Sequence, residues 1–154
     1  MFEIIKHTTI LRHTRANMIR LISNLDEEQL NAIPEGFNNN IAWNFIHCVR
    51  TQQALIYGLS DVRWSIDAAP FVGYAKGDVP TDHVSEALMD QHKDMAVETI
   101  ESLERDYKEG IFEKFKAYPT SYGVTLESVQ DAIRFNNVHE GLHLGSIMAL
   151  KKLV

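Results

Sequence analysis

The stretch Asn136-Asn137-Val138-His139-Glu140-Gly141-Leu142-His143-Leu144-Gly145-Ser146-Ile147 decides how this chain is to be read. It lies inside a longer pattern, Val129, Ala132, Asn136, His139, His143, Ile147 and Leu150, whose spacings of three and four mark one face of an α-helix. On that face Asn136, His139 and His143 interrupt an otherwise apolar core stripe. Burying such a group without a partner costs on the order of 1–3 kcal/mol, so each is expected to be hydrogen-bonded or ligated. Histidines at i and i+4 stand one turn apart on the same face, the spacing from which two imidazoles grip one ion.

Working outward, three more helical patterns precede this one, and no segment reads as a sheet. The first covers about 2–24, with Ile4, His7, Leu11, Thr14, Met18, Leu21 and Leu25 along one face. Asp26 followed by Gln29 predicts a capped extra turn, and Pro34, Gly36 and Asn38-Asn39-Asn40 then break the chain. The second helix, about 40–58, is apolar nearly all round and so should be the most buried, with Gly58 closing it. The third starts from a cap at Thr81 or Asp82 and runs to about Tyr107, with Val84, Leu88, Met95, Thr99 and Leu103 inward. Thr125 is the expected cap of the fourth. The connection 59–80 is long enough to run back along a helix of about 30 Å, which lets helices two and three lie parallel. The expected fold is all-α: a four-helix bundle with a long crossover between helices two and three, forming one domain over 1–154.

Composition excludes several classes. The chain has 154 residues and a net charge of −6, and a nucleic-acid partner would ask for a basic face. The densest basic cluster, Lys6, Arg12, His13, Arg15 and Arg20, reads as the solvated side of the first helix. No apolar run reaches the length of a membrane span, the N-terminus lacks a signal-peptide pattern, and the single cysteine, Cys48, forms no intrachain disulfide framework. No nucleic acid, no membrane and a cytoplasmic setting are expected.

His139-Glu140-Gly141-Leu142-His143 also spells H-E-x-x-H, the zinc-protease motif. The protease reading fails on context. None of Leu144 to Val154 is His, Asp, Glu or Cys, Ser146 and Ala149 stand where the extended motif needs Gly and His, and no strand is evident to hold a peptide. A third ligand must come from upstream, and His47 is the best candidate, central on the most buried helix with Trp43 one turn before it. Asn44 and Asn136 each precede a histidine by three residues, and each could support that histidine's other ring nitrogen.

In its length, its long second connection, and the segments Asn40-Ile41-Ala42-Trp43-Asn44-Phe45-Ile46-His47 and His139 to Ile147, the sequence resembles the DinB/YfiT-like metal-binding four-helix bundles. The resemblance implies a divalent metal, nickel or zinc, held by one histidine of helix two and two of helix four, positions matched here by His47, His139 and His143. It further implies low-molecular-weight thiol chemistry, since characterised relatives include thiol transferases and a thiol-dependent isomerase, while many members have no assigned activity. Its partners would be a small thiol and an electrophile, with a homodimer open. The activity expected is metal-dependent thiol S-transfer. The rival is a non-enzymatic metal or small-molecule binder in a stress response.

Other candidates carry plainer readings. His7 and His92 sit on inward stripes as core or boundary residues, and neither they nor His13 and His83 are expected ligands. Cys48, rotated about 100° from His47, is core filler. Glu140 is the one acid–base candidate, able to reach a metal-bound water, against a solvated or capping role. Trp64, Phe71 and Tyr74 either roof a pocket or staple the long connection to the bundle.

Overall fold

The computed structural model describes residues 2–154. Five helices account for most of the chain: α1 (Ile4–Ile22), the short α2 (Glu27–Asn31), α3 (Ile41–Gln53), α4 (Glu86–Glu109) and α5 (Val129–Leu150). A π-helical turn, Ala54–Gly58, extends α3 to the end expected for the second helix, and a single 3-10 turn, Ala69–Phe71, interrupts the long connection. The only sheet among the described residues is a ribbon of two two-residue strands. In it β1 (Tyr118–Pro119) pairs antiparallel with β2 (Thr125–Leu126). The all-α expectation holds, with that ribbon as its one departure.

Caps explain where the helices begin. The Asp26 side chain accepts from the Gln29 amide while the Gln29 side chain accepts from the Asp26 amide, the reciprocal box expected for α2. Asn40 accepts from the Trp43 amide at 2.8 Å and starts α3. Two expected caps are wrong. Ser85, not Thr81 or Asp82, accepts from the Leu88 amide and starts α4, while Ser128, not Thr125, accepts from the Asp131 amide and starts α5. Both errors arise because an oxygen-bearing residue near a helix start is a cap only where the chain turns, and Thr125 is held in the ribbon.

Cross-helix contacts set the topology. Arg12 meets Glu104 and Arg15 meets Thr99 and Ala96, so α1 and α4 run antiparallel. Gln52 meets Thr99 and Tyr57 meets Asp106, so α3 and α4 are parallel, as the long crossover allows. Asn44 meets His143 while His47 meets His139, so α3 and α5 are antiparallel. Around the bundle α1 neighbours α5 and α4, and α3 completes the square.

The core confirms α3 as the most buried helix, with every residue from Ile41 to Val49 buried. On α1 the buried face is Ile4, Thr8, Leu11, Arg15, Met18 and Ile22, turned by about one residue from the face expected. Arg15, placed by its sequence neighbours in a solvated cluster, is only 1% exposed. Its Nε donates to Glu140 Oε2 (3.0 Å), its Nη1 to the Ala96 carbonyl (2.6 Å) and Thr99 Oγ1 (2.8 Å), and its Nη2 to Gln52 Oε1 (2.9 Å) and Glu140 Oε1 (2.7 Å). That uses all five guanidinium donors and ties the four long helices through one side chain.

Candidate metal centre

The antiparallel crossing of α3 and α5 brings His47 against His139 and His143. One ring nitrogen from each lies within 4.8 Å of the others, which makes a group that could hold a metal ion. His47 Nε2 and His139 Nε2 are 3.2 Å apart. Nitrogens sharing one tetrahedral ion stand roughly 3.3 Å apart when each bond is about 2.0–2.1 Å, so that spacing needs little adjustment. Cys48 is buried away from the cluster's donor set, as expected of core filler.

Second contacts decide which nitrogens face inward. His47 Nδ1 donates to the Tyr74 carbonyl at 2.7 Å, leaving the lone pair on Nε2. Asn44 Nδ2 donates to Asn39 Oδ1 and the Asn40 carbonyl, so Asn44 Oδ1 is free to accept from His143 Nδ1 at 2.7 Å. His143 Nε2 is then also a lone pair. Two lone pairs aimed into one small space, with neither able to donate to the other, fit a cation there. The Trp43 ring stacks on His47 with centroids 4.5 Å apart and planes within 11°, and its Nε1 donates to the Gly73 carbonyl.

The asparagines do not serve the histidines that follow them in sequence. Asn44 supports His143 across the helix interface, and Asn136 donates to Glu140 Oε1 at 3.0 Å. Asn44 reaches across to the neighbouring helix, whereas Asn136 bonds one turn ahead on its own helix, past His139. Nδ1 of His139 is buried without a partner among the described residues.

Burial keeps the cluster neutral. Desolvation lowers the pKa of His139 to about 3, helped by the nearby His143 and His47, and that of His143 to about 4, helped by His47. Desolvation also lowers His47, against the opposing pull of its bond to Tyr74. Neutral imidazole is the form that ligates.

Glu140 is fully buried, so the solvated or capping role does not hold; its carboxylate lies against Arg15 and Asn136. His92 is fully buried against Phe71, with ring centroids 5.0 Å apart, and neither ring nitrogen has a partner among the described residues. His7 stacks on Phe2 and His83 meets Glu27, both apart from the cluster. The long connection is stapled rather than roofed by its aromatics: Phe71 enters the core and Tyr74 contributes its carbonyl.

A cavity of about 470 Å³ opens onto the three histidines. Its wall includes Arg50 and Thr51 of α3, Lys76 and Gly77 of the crossover, and Tyr118, Thr120 and Ser121 of the α4–α5 connection. Thr51 Oγ1 lies 3.2 Å from His47 Nε2. Sequence reading missed these residues. Only Thr51 carried a signal, standing one turn after His47; the loop residues carried none, because their place depends on where the connections fold back.

No helix among the described residues is long and apolar enough to cross a membrane. The family model described as the DinB superfamily matches residues 10–147. No curated protein and no solved structure matches the chain.

Proposed function

The chain belongs to the DinB superfamily, and on that basis and the geometry of its histidines we propose that it is a divalent-metal-dependent enzyme that transfers a small thiol to an electrophile. The ligands are His47, His139 and His143, and the metal is zinc or nickel, both suited to all-nitrogen ligation. The observation that carries the reading is that the three neutral imidazoles converge at the floor of an open cavity instead of a closed core. An ion bound there supplies Lewis acidity, which lowers the pKa of a coordinating thiol.

The chain's own residues do the rest. Tyr74 and Asn44 hold His47 and His143 in the ligating tautomer. Trp43 covers one face of His47, and the crossover and ribbon wall off a volume suited to a small molecule. Glu140 is left out of the chemistry, because its oxygens are taken by Arg15 and Asn136. A cytoplasmic setting, where small thiols are abundant and reduced, fits this chemistry.

A rival reading has one observation in its favour. Among the described residues no carboxylate lines the cavity, which suits a metal or small-molecule binder that needs no acid or base. Elemental analysis of the purified protein, followed by thiol-consumption assays against a chromogenic aryl halide, separates the two. One ion per chain with metal-dependent turnover supports the enzyme. One ion per chain with thiol binding but no turnover across several electrophiles supports the binder.

A further inference from the structure

The cavity has a second chemical character besides its histidines. Arg50, one turn beyond His47 on α3, and Lys76, two residues beyond Tyr74, both line it. Neither forms an ion pair or side-chain hydrogen bond among the described residues, whereas Arg12, Arg15, Arg105 and Arg134 each meet a carboxylate. The contact Arg50 does make is with the Trp64 ring, 5.8 Å from guanidinium carbon to centroid. Stacking engages the guanidinium face and leaves its in-plane N–H groups to reach a bidentate acceptor.

The charge balance around these cations is unusual for this chain. The protein has 21 acidic residues and a net charge of −6, and among the described residues no acidic side chain lines the cavity. Asp78, near enough to act electrostatically on His47, has its carboxylate on the Ala75 amide at 2.7 Å. Two cations without an ion-pair partner among the described residues, in a concave site that no carboxylate among those residues lines, raise the local positive potential, and Asp78 nearby offsets it in part. Leu55, Leu59 and Phe135 supply an apolar wall.

We propose that Arg50 and Lys76 form an anion subsite, and that the small molecule bound beside the histidines carries a carboxylate on an apolar body. This deepens the thiol-transfer reading and rests on it for one point alone, that the charged molecule is the thiol or its electrophile. The subsite itself is a property of the cavity.

The test uses metal-loaded protein and four probes: mercaptohexanoate and mercaptohexanol, then hexanoate and hexanol, titrated by calorimetry. In the unaltered chain each carboxylate should bind about tenfold or more tightly than its alcohol, the size of a charge-assisted bidentate contact. In the Arg50→Gln/Lys76→Gln variant the preference should vanish while the metal content stays at that of the parent. Each single variant should lose part of it. Equal affinity for acid and alcohol in the parent overturns the subsite. So does a preference that survives in the double variant, which would place the carboxylate on the ion. If hexanoate keeps its preference but the thiol pair binds no better than the thiol-free pair, the subsite stands and the thiol-transfer reading falls.

Discussion

Two polar clusters sit inside this bundle, and they differ in how completely their hydrogen bonds are met. Around Arg15 of α1 every guanidinium donor has an acceptor, and the partners come from the three other long helices. Around His47, His139 and His143 lone pairs converge, one ring nitrogen has no partner, and a cavity opens beside them. Both clusters cost free energy to bury. The first repays most of that cost internally, with Asn136 Oδ1 the one member atom that has no partner among the described residues. The second is left incomplete, which is the condition of a site that takes a ligand. Incompleteness alone is not enough, because both ring nitrogens of His92 also lack a partner among the described residues, yet none of those residues joins it as a second ligating group and it does not line that cavity.

The largest effect should come from breaking the closed cluster. Arg15→Leu strands the Glu140 carboxylate in the core and should cost about 3–5 kcal/mol in denaturant unfolding. Adding Glu140→Leu should recover most of that loss, because the remaining groups are neutral. A single variant as stable as the parent would show that Arg15 is not the tie it looks like.

Next comes the open cluster. Metal present at about a thousandfold its dissociation constant should stabilise the fold by about 4 kcal/mol over chelated protein at pH 7.5, read by calorimetry. His47→Ala should erase that gap while leaving the chelated protein within about 1 kcal/mol of the parent, since it removes a ligand and strands no charge. An undiminished gap in His47→Ala removes that residue from the ligand set.

The two asparagines sharpen the contrast further. Asn44→Leu deprives His143 of its acceptor and should weaken metal binding about 10–100-fold, measured by competition with a chromogenic chelator. Asn136→Leu, whose partner is Glu140, should leave metal affinity unchanged and act on stability instead. Equal losses of affinity in both would mean that the clusters are coupled.

The smallest effect concerns His92, whose pKa is lowered to about 4 by burial. The unfolded chain takes a proton near 6.5 where the folded one does not, so stability is held above that pH and lost as pH falls toward about 4. His92→Leu should be neutral or slightly stabilising at pH 7 and should lessen the pH dependence by about one proton, compared in matched metal-loaded samples. An unchanged slope would show that His92 is protonated in the fold.

How legible each part was follows from the range of the forces behind it. The helices, their approximate ends, the capped turn at Asp26 and the burial of α3 all rest on periodicity and local capping, which are written within a few residues. The pair His139 and His143 is equally local, being one turn of one helix. His47 could be named because it is the histidine at the centre of the most apolar helix. Its meeting with the other two belongs to the antiparallel crossing of α3 and α5.

Other features were settled only when the helices packed. Arg15 is charged and sits among basic neighbours, so locally it belongs in water; it is buried because Glu140, Gln52, Thr99 and the Ala96 carbonyl converge on it from three other helices. Glu140 changed roles for the same reason, through Arg15 of α1, and Asn136 followed because Glu140 lies one turn ahead of it. The cavity wall from Lys76 to Ser121 depends on two connections folding back over α3 and α5. A sequence specifies which groups must find partners, because desolvation is a property of the residue. Which partner each one finds is a property of space, and only the packed bundle brings residues separated by 92 to 125 positions within hydrogen-bond reach.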